Sequence, residues 1–293
     1  MDVSIIIVNY NTEILLKQCV NSIYQHAKDI SYEIIVIDNA STDGSCEMLK
    51  DIFPNVVLIE SKENLGFGKA NNVGVKKALG NFLFLLNSDT VLIENSIKIL
   101  KEFLENTAIV NVAVVGCKLL DVNKNTHISY GNFPSLYQEL FEFGFSKIFR
   151  NYFSKKLSPS VIDNGSELKE VDFIMGADMF LRKSIFEEIG GFDEDFFLYY
   201  EETEFCFRLK RLGYKILWNP NTSIIHYIGA SGMEISGINY WILEQLQKSK
   251  ILYFRKCHGN GVATIVKYIT LPKALLKYRK FDIRKIWTIF NGI

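Results

Sequence analysis

Carboxylates and amides gather in this sequence where strand-like runs end. Phe82 to Leu86 is wholly apolar and stops at Asn87-Ser88-Asp89; the run from Glu33 to Ile37 ends at Asp38, with Asp43 soon after. A second acidic group, Glu201, Glu202 and Glu204, follows an aromatic stretch. Hard divalent cations such as Mg²⁺ or Mn²⁺ take oxygen ligands, commonly one or two carboxylates with substrate phosphates completing the shell, and Asp89 suits that role. Two plainer readings stay open. Asp89 is equally able to cap a helix through Ile93, Ile97 and Leu100, and the three glutamates are what the positive end of a helix dipole favours.

Other motifs carry less. GFGKANNVG is superficially like a dinucleotide fingerprint, but Asn71 stands at the third glycine position and the loop follows a third strand rather than a first. Neither a GxxxxGK[ST] loop nor a GxSxG elbow occurs.

The elements that must position these groups are legible from periodicity. Val3 to Val8 is β-branched and continuous, followed by Asn9-Tyr10-Asn11 and then by Ile14, Leu15, Cys19, Val20 and Ile23 at helical spacing. The Glu33–Ile37 run repeats this, with Ser41, Thr42 and Asp43 offering a cap for a helix through Met48 and Leu49. Val56 to Ile59 precedes a helix expected from about Ala70 to Ala78; Phe82 to Leu86 and Val112 to Leu119 are further strands. Strands alternating with helices predict an α/β fold with a parallel sheet buried on both faces. Ligands in such sheets collect beyond the carboxyl ends of the strands, where these polar residues lie. Residues from about Asn123 to Glu170 have weak periodicity and read as a variable excursion.

Taken in order, SIIIVNYNT, VIDNASTDGS, NLGFGKANNVGVKKA, FLFLLNSDT, MGADMFLRKSIFEEIGGFDEDFFLYYEETEFCFRL and IIHYIGASG resemble the family 2 glycosyltransferases of GT-A fold, and most of all their bacterial rhamnosyltransferase-like branch. The resemblance covers roughly residues 2 to 232. It implies a mostly parallel central sheet flanked by helices, a nucleotide-diphosphate sugar donor, either dTDP-rhamnose or a UDP-sugar, a divalent metal and an inverting transfer to a glycan or lipid-linked acceptor in polysaccharide or cell-envelope synthesis. Val8, Asn9, Tyr10 and Asn11 match the loop that meets the nucleoside, and Asp38 the carboxylate that contacts base or ribose. Asp43 and Lys69 match positions approaching base and phosphates. Asn87, Ser88 and Asp89 stand at the metal motif, with Asn in place of its first Asp, so the metal role rests on Asp89, with His226 matching a histidine that completes the shell or touches the diphosphate. Gly176, Gly190 and Gly191 match acceptor-side glycines, and Asp178 lies near the sugar-binding position. Glu202 aligns with the family's catalytic Asp, one methylene longer, and Glu201 adjoins it. That departure keeps a second class in view, a non-catalytic module that binds nucleotide sugars. Each assignment has a plainer counterpart: turn chemistry for the glycines, a structural role for the histidine. Tyr199, Tyr200 and Trp218 suit either stacking on a ligand or the core.

Charge divides the chain. From Lys248 onward there are 11 Lys or Arg and one acid, Asp282, whereas the preceding 247 residues carry 22 bases and 32 acids. The expected organisation is a catalytic domain over 1–235 and a basic, helical extension over 236–293, with Pro272 marking a break or a helix start. Its mixture of Lys and Arg with Ile, Leu, Trp and Phe suits an anionic membrane surface, or else packing on the body or pairing of subunits; no nucleic-acid module accompanies it. Five dispersed cysteines without a CxxC pair read as reduced thiols. A start without a basic segment, and the lack of any long apolar window, predict a cytoplasmic chain, peripheral on the inner membrane face if bound to it.

Overall fold

The computed structural model of the chain describes residues 1–142, 161–227, 239–277 and 281–292. The first half lays down β1 (Val3–Asn9), α1 (Glu13–His26), β2 (Tyr32–Asp38), α2 (Ser45–Ile52), β3 (Val57–Glu60), α3 (Phe67–Val75) and β4 (Phe82–Asn87). β1 pairs in parallel with β2 on one side and β4 on the other, and β2 pairs in parallel with β3. The strands are apolar on both faces because both are covered. Ile5 and Ile7 pack with Leu16, Val20 and Ile23 of α1, while Ile6 packs on the other side with Ala70 and Val75 of α3. Burying each such side chain contributes about 1.5–3 kcal/mol, so a slipped register would forfeit both cores. The order β3-β2-β1-β4 reverses between β1 and β4, which opens a crevice at their carboxyl ends.

Beyond β4 come β5 (Thr90–Leu92), α4 (Ser96–Asn106), β6 (Val112–Leu120), β7 (Ile128–Gly131), α5 (Leu136–Glu142), β8 (Val161–Ile162), β9 (Lys169–Glu170), β10 (Phe173–Ile174), β11 (Asp178–Arg182), α6 (Lys183–Glu188), α7 (Glu201–Arg211) and β12 (Lys215–His226). β11 inserts antiparallel between β4 and β6, and β12 runs parallel to β6 but antiparallel to β5 and β9. The central sheet is therefore mostly parallel, as expected of the GT-A fold, with β5, β9 and β11 running against the rest; apolar periodicity reports burial and does not say which strands these are. A small second sheet joins β10, β7 and β8.

Two local expectations change. The helix placed at Ala70 to Ala78 begins at Phe67 and ends at Val75, because Gly66, at φ +79°, turns the chain earlier. Asp89 does not cap α4: β5 intervenes, and Asn95 caps it by accepting the Lys98 N–H at 3.2 Å.

The extension forms α8 (Tyr240–His258), α9 (Asn260–Lys277) and α10 (Ile283–Asn291), and Pro272 lies inside α9 rather than at a break or start. α8 packs on the body. Ser249 Oγ donates to the Leu198 carbonyl at 2.7 Å, Lys250 pairs with buried Glu139 at 2.6 Å, and Lys256 reaches Asp193 and Asp195 at 2.5 Å each. The expected boundary at 235/236, the central part of the variable excursion and residues 228–232 of the last motif lie outside the described residues.

Candidate active site

A cavity of about 470 Å³ sits at the crevice. Strand register assembles one part of its wall. β5 and β12 pair so that His226 lies opposite Thr90, and the Tyr227 N–H donates to the Asp89 carbonyl at 2.8 Å. His226 Nε2 consequently stands 3.1 Å from Asp89 Oδ1, with the Asp89 side chain buried. Two donors of this kind, one carboxylate and one imidazole, fit a divalent cation that draws its remaining ligands from substrate phosphates. No cluster of three or more His, Cys, Asp or Glu suited to a metal occurs among the described residues.

The antiparallel insertion of β11 assembles another part. Its register sets Asp178 opposite Leu86, bringing Gly176 and Ala177 to the end of β4, where the Asn87 N–H donates to the Ala177 carbonyl at 3.2 Å. Gly176 lines the cavity, and a Cβ there would lie 3.2 Å from the Phe67 ring and 3.9 Å from Glu202 Cβ.

Glu201 and Glu202 open α7 and both line the cavity. The chain reaches them through Tyr199 and Tyr200, two consecutive non-glycine residues at φ 70°. Each left-handed residue costs about 1–2 kcal/mol, offset at Tyr200 by its ring against Tyr253, centroids 5.5 Å apart. Glu201 is buried and its Oε2 has no hydrogen-bond partner. Burial, and then repulsion from Glu202, hold its carboxyl well above the usual range. Burial also pushes Glu202 up, to about 7. A carboxyl poised there can take a proton near neutral pH. Glu204 turns away, held by Arg208 Nε at 2.8 Å, while the same guanidinium donates to the carbonyls of Ile189 and Gly191.

Val8, Tyr10, Asn87 and Ser88 complete the expected lining. Other expected residues stand behind it. Asn9 Nδ2 donates to Asp38 Oδ2 at 2.8 Å, and Asp38 Oδ1 accepts the Ser41 N–H at 2.8 Å. Thr12 Oγ1 links Asn9 Oδ1 at 2.6 Å to Ser88 Oγ at 2.9 Å, tying the ends of β1, β2 and β4 together. Asn11 accepts the Thr42 N–H, and Asp43 accepts the N–H groups of Glu13 and Ser45, so these two brace loops rather than face the cavity. Lys69, on α3, is not part of the lining. Asp178 is wholly buried, with Oδ2 accepting the Cys117 N–H at 2.6 Å and Oδ1 unpartnered; burial raises its carboxyl well above the usual range. Gly190 and Gly191 end α6, with the Gly191 N–H donating to the Phe186 carbonyl at 2.9 Å. Trp218 is core, its indole N–H donating to the Cys117 carbonyl.

Sequence reasoning did not single out Thr12, Asn64, Phe67, Phe197, Trp241 or Ile242, all of which line the cavity. Phe67 had a visible signal, lying within the glycine-rich loop. Trp241 and Ile242 had none, since they belong to the extension and reach the cavity only because α8 folds back; the Trp241 ring meets Phe197 edge-on at 5.9 Å.

Comparison with known proteins agrees with this architecture. The profile of Glycosyl transferase family 2 matches residues 4–190. The low-salt glycan biosynthesis hexosyltransferase Agl10 of Haloferax volcanii is 29% identical over 214 residues, 72% of this chain and 62% of that protein. The match thus spans less than two thirds of Agl10. The dTDP-rhamnosyl transferase RfbF of Shigella flexneri is 25% identical over 261 residues, covering 86% of this chain and 80% of RfbF. Among solved structures, the mannosyltransferase PcManGT of Pyrobaculum calidifontis, in complex with GDP-Man and Mn²⁺, superposes with a TM-score of 0.56 at 17% identity over 99% of this chain and 73% of that one. The fold is GT-A.

Proposed function

Since this chain belongs to glycosyl transferase family 2, we propose that it is an inverting, metal-assisted transferase moving a sugar from a nucleotide-diphosphate donor to a hydroxyl of a glycan or lipid-linked acceptor. The observation that carries this reading is the convergence on one cavity of the Asp89–His226 pair and a Glu202 whose carboxyl is raised to about 7. Asp89 and His226 would hold the cation, which when bound offsets the negative charge developing on a leaving diphosphate. Glu202 accepts the proton of the acceptor hydroxyl as that oxygen bonds to the sugar's anomeric carbon. The carbon–oxygen bond to the diphosphate breaks with its electron pair, and configuration inverts. Glu201, with Oε2 free of a protein partner, holds a hydroxyl of the bound sugar or shares the proton with Glu202. Tyr10, half exposed at the cavity, would cover the nucleoside. RfbF's name supports a dTDP-rhamnose donor, and a UDP-sugar is the runner-up.

The test is transfer and donor hydrolysis across a panel of nucleotide sugars, with Mn²⁺ or Mg²⁺ and after chelation. Asp89→Ala and Glu202→Gln each lower kcat by about 100-fold or more, and chelation abolishes turnover. Wild-type rates in both variants would overturn the catalytic roles of Asp89 and Glu202, and donor binding without turnover by the wild type would favour a non-catalytic module that binds nucleotide sugars.

A further inference from the structure

α9 is apolar on two sides. It turns Ala263, Val266 and Ala274 inward, and on another face it carries Ile265, Tyr268, Pro272 and Leu276, all exposed, with Tyr268 and Leu276 each 70% accessible. Intervals of three and four residues keep these four on one side of the helix. α10 repeats the pattern, burying Ile286 and Phe290 while Ile283 and Trp287 stay about half exposed at 48% and 49%. Isolated exposed apolar residues are ordinary; an ordered stripe marks a surface that meets something.

The charge beside the stripe says what that is. Arg255, Asn260, Thr264 and Lys267 line a hollow of about 340 Å³ between α8 and α9, and no acidic side chain contributes to it. Thr264 and Lys267 alternate along α9 with Ile265 and Tyr268, so the hollow borders the stripe. Arg284 and Lys285 are exposed on α10. Cations flanking an apolar stripe complement a layer that is anionic outside and apolar just beneath. A second copy of the chain would bring like charge against like, and a nucleic acid would leave Ile265 and Leu276 without a partner. No helix among the described residues is long and apolar enough to cross a membrane, so the arrangement fits helices lying along a surface.

We propose that α9 and α10 dock the protein on an anionic lipid bilayer, with the Ile265–Leu276 stripe seated among the headgroups and lipid phosphates taken by the Arg255–Lys267 hollow. The α10 start rests on α8, where the Asp282 N–H donates to the Tyr240 hydroxyl at 3.1 Å, next to Trp241 and Ile242 of the cavity wall. Docking therefore brings the cavity beside the bilayer, where a membrane-borne acceptor is presented; this last clause rests on the transfer reading, whereas docking does not.

The experiment is co-sedimentation of the full chain with phosphatidylcholine vesicles, with and without phosphatidylglycerol, in the absence of donor and divalent cation, so that its failure leaves the transfer reading untouched. Binding is at least tenfold tighter to the anionic vesicles and weakens with salt. Tyr268→Ser with Leu276→Ser, and separately Arg255→Glu with Lys267→Glu, each reduce it at least tenfold while the circular dichroism spectrum is unchanged. Equal affinity for neutral vesicles, or wild-type binding by both double variants, overturns the proposal. So does a dimer in sedimentation velocity that Tyr268→Ser with Leu276→Ser dissociates, which would make the stripe a self-association face.

Discussion

At the scale of single residues, the decisive groups are carboxyls whose surroundings set their protonation. Glu202 rises from 4.5 to about 7 through burial, and Glu201 rises beside it for the same cause, with Glu202 adding to the shift. Because the base in the proposed transfer must be ionised, kcat/KM is expected to climb through about pH 7 to a plateau, and the limb belongs to the pair rather than to either residue. A pH profile of transfer checks this, and Glu202→Gln removes the limb along with most of the rate. Stability runs the other way. A carboxyl raised in the fold binds more protons there than in the unfolded chain between 4.5 and about 7, so stability falls as pH rises through that window. Glu202→Gln, free of this penalty, melts at a higher temperature than wild type at pH 8 and at nearly the same temperature at pH 4.5. Thermal melts at the two pH values distinguish this from a uniform packing effect.

At the scale of elements, register and tight turns set the distances between these groups. His226 meets Asp89 because β12 and β5 pair in one register, and a slip of one residue would turn the imidazole to the opposite face. Gly66 is the hinge of the α3 side. It is at φ +79°, and a Cβ there would lie 2.1 Å from the Phe197 carbonyl oxygen, which accepts the Phe67 N–H at 3.0 Å. Gly66→Ala therefore combines left-handed strain with a backbone clash and destabilises by more than about 1–2 kcal/mol. Chemical denaturation measures the loss, and because the 197–199 segment lines the cavity, donor affinity falls as well.

At the scale of the whole molecule, the basic extension is part of the catalytic body's surroundings. Lys250 and Glu139 form an ion pair with side chains only 12% and 3% exposed. Removing one partner strands a buried charge, so Lys250→Ala lowers stability by about 3 kcal/mol, whereas Lys250→Met combined with Glu139→Leu recovers much of it. Denaturant midpoints of the two variants test the pair. The same attachment carries Trp241 and Ile242 to the cavity, so truncation before α8 removes part of the site as well as the basic charge.

The sequence alone determined the α/β alternation, the polar strand ends that rim the site, and the family, because burial leaves a periodic trace and the polar strand ends recur with the motifs in a fixed order. It also separated a basic tail from an acidic body. Only the tertiary structure decided that β11 runs antiparallel, that Asp38, Asp43 and Asp178 turn away from the cavity into backbone hydrogen bonds, and that Trp241 joins it from the extension. Those outcomes depend on strand direction and on contacts between residues distant in the chain, and local composition holds no record of either.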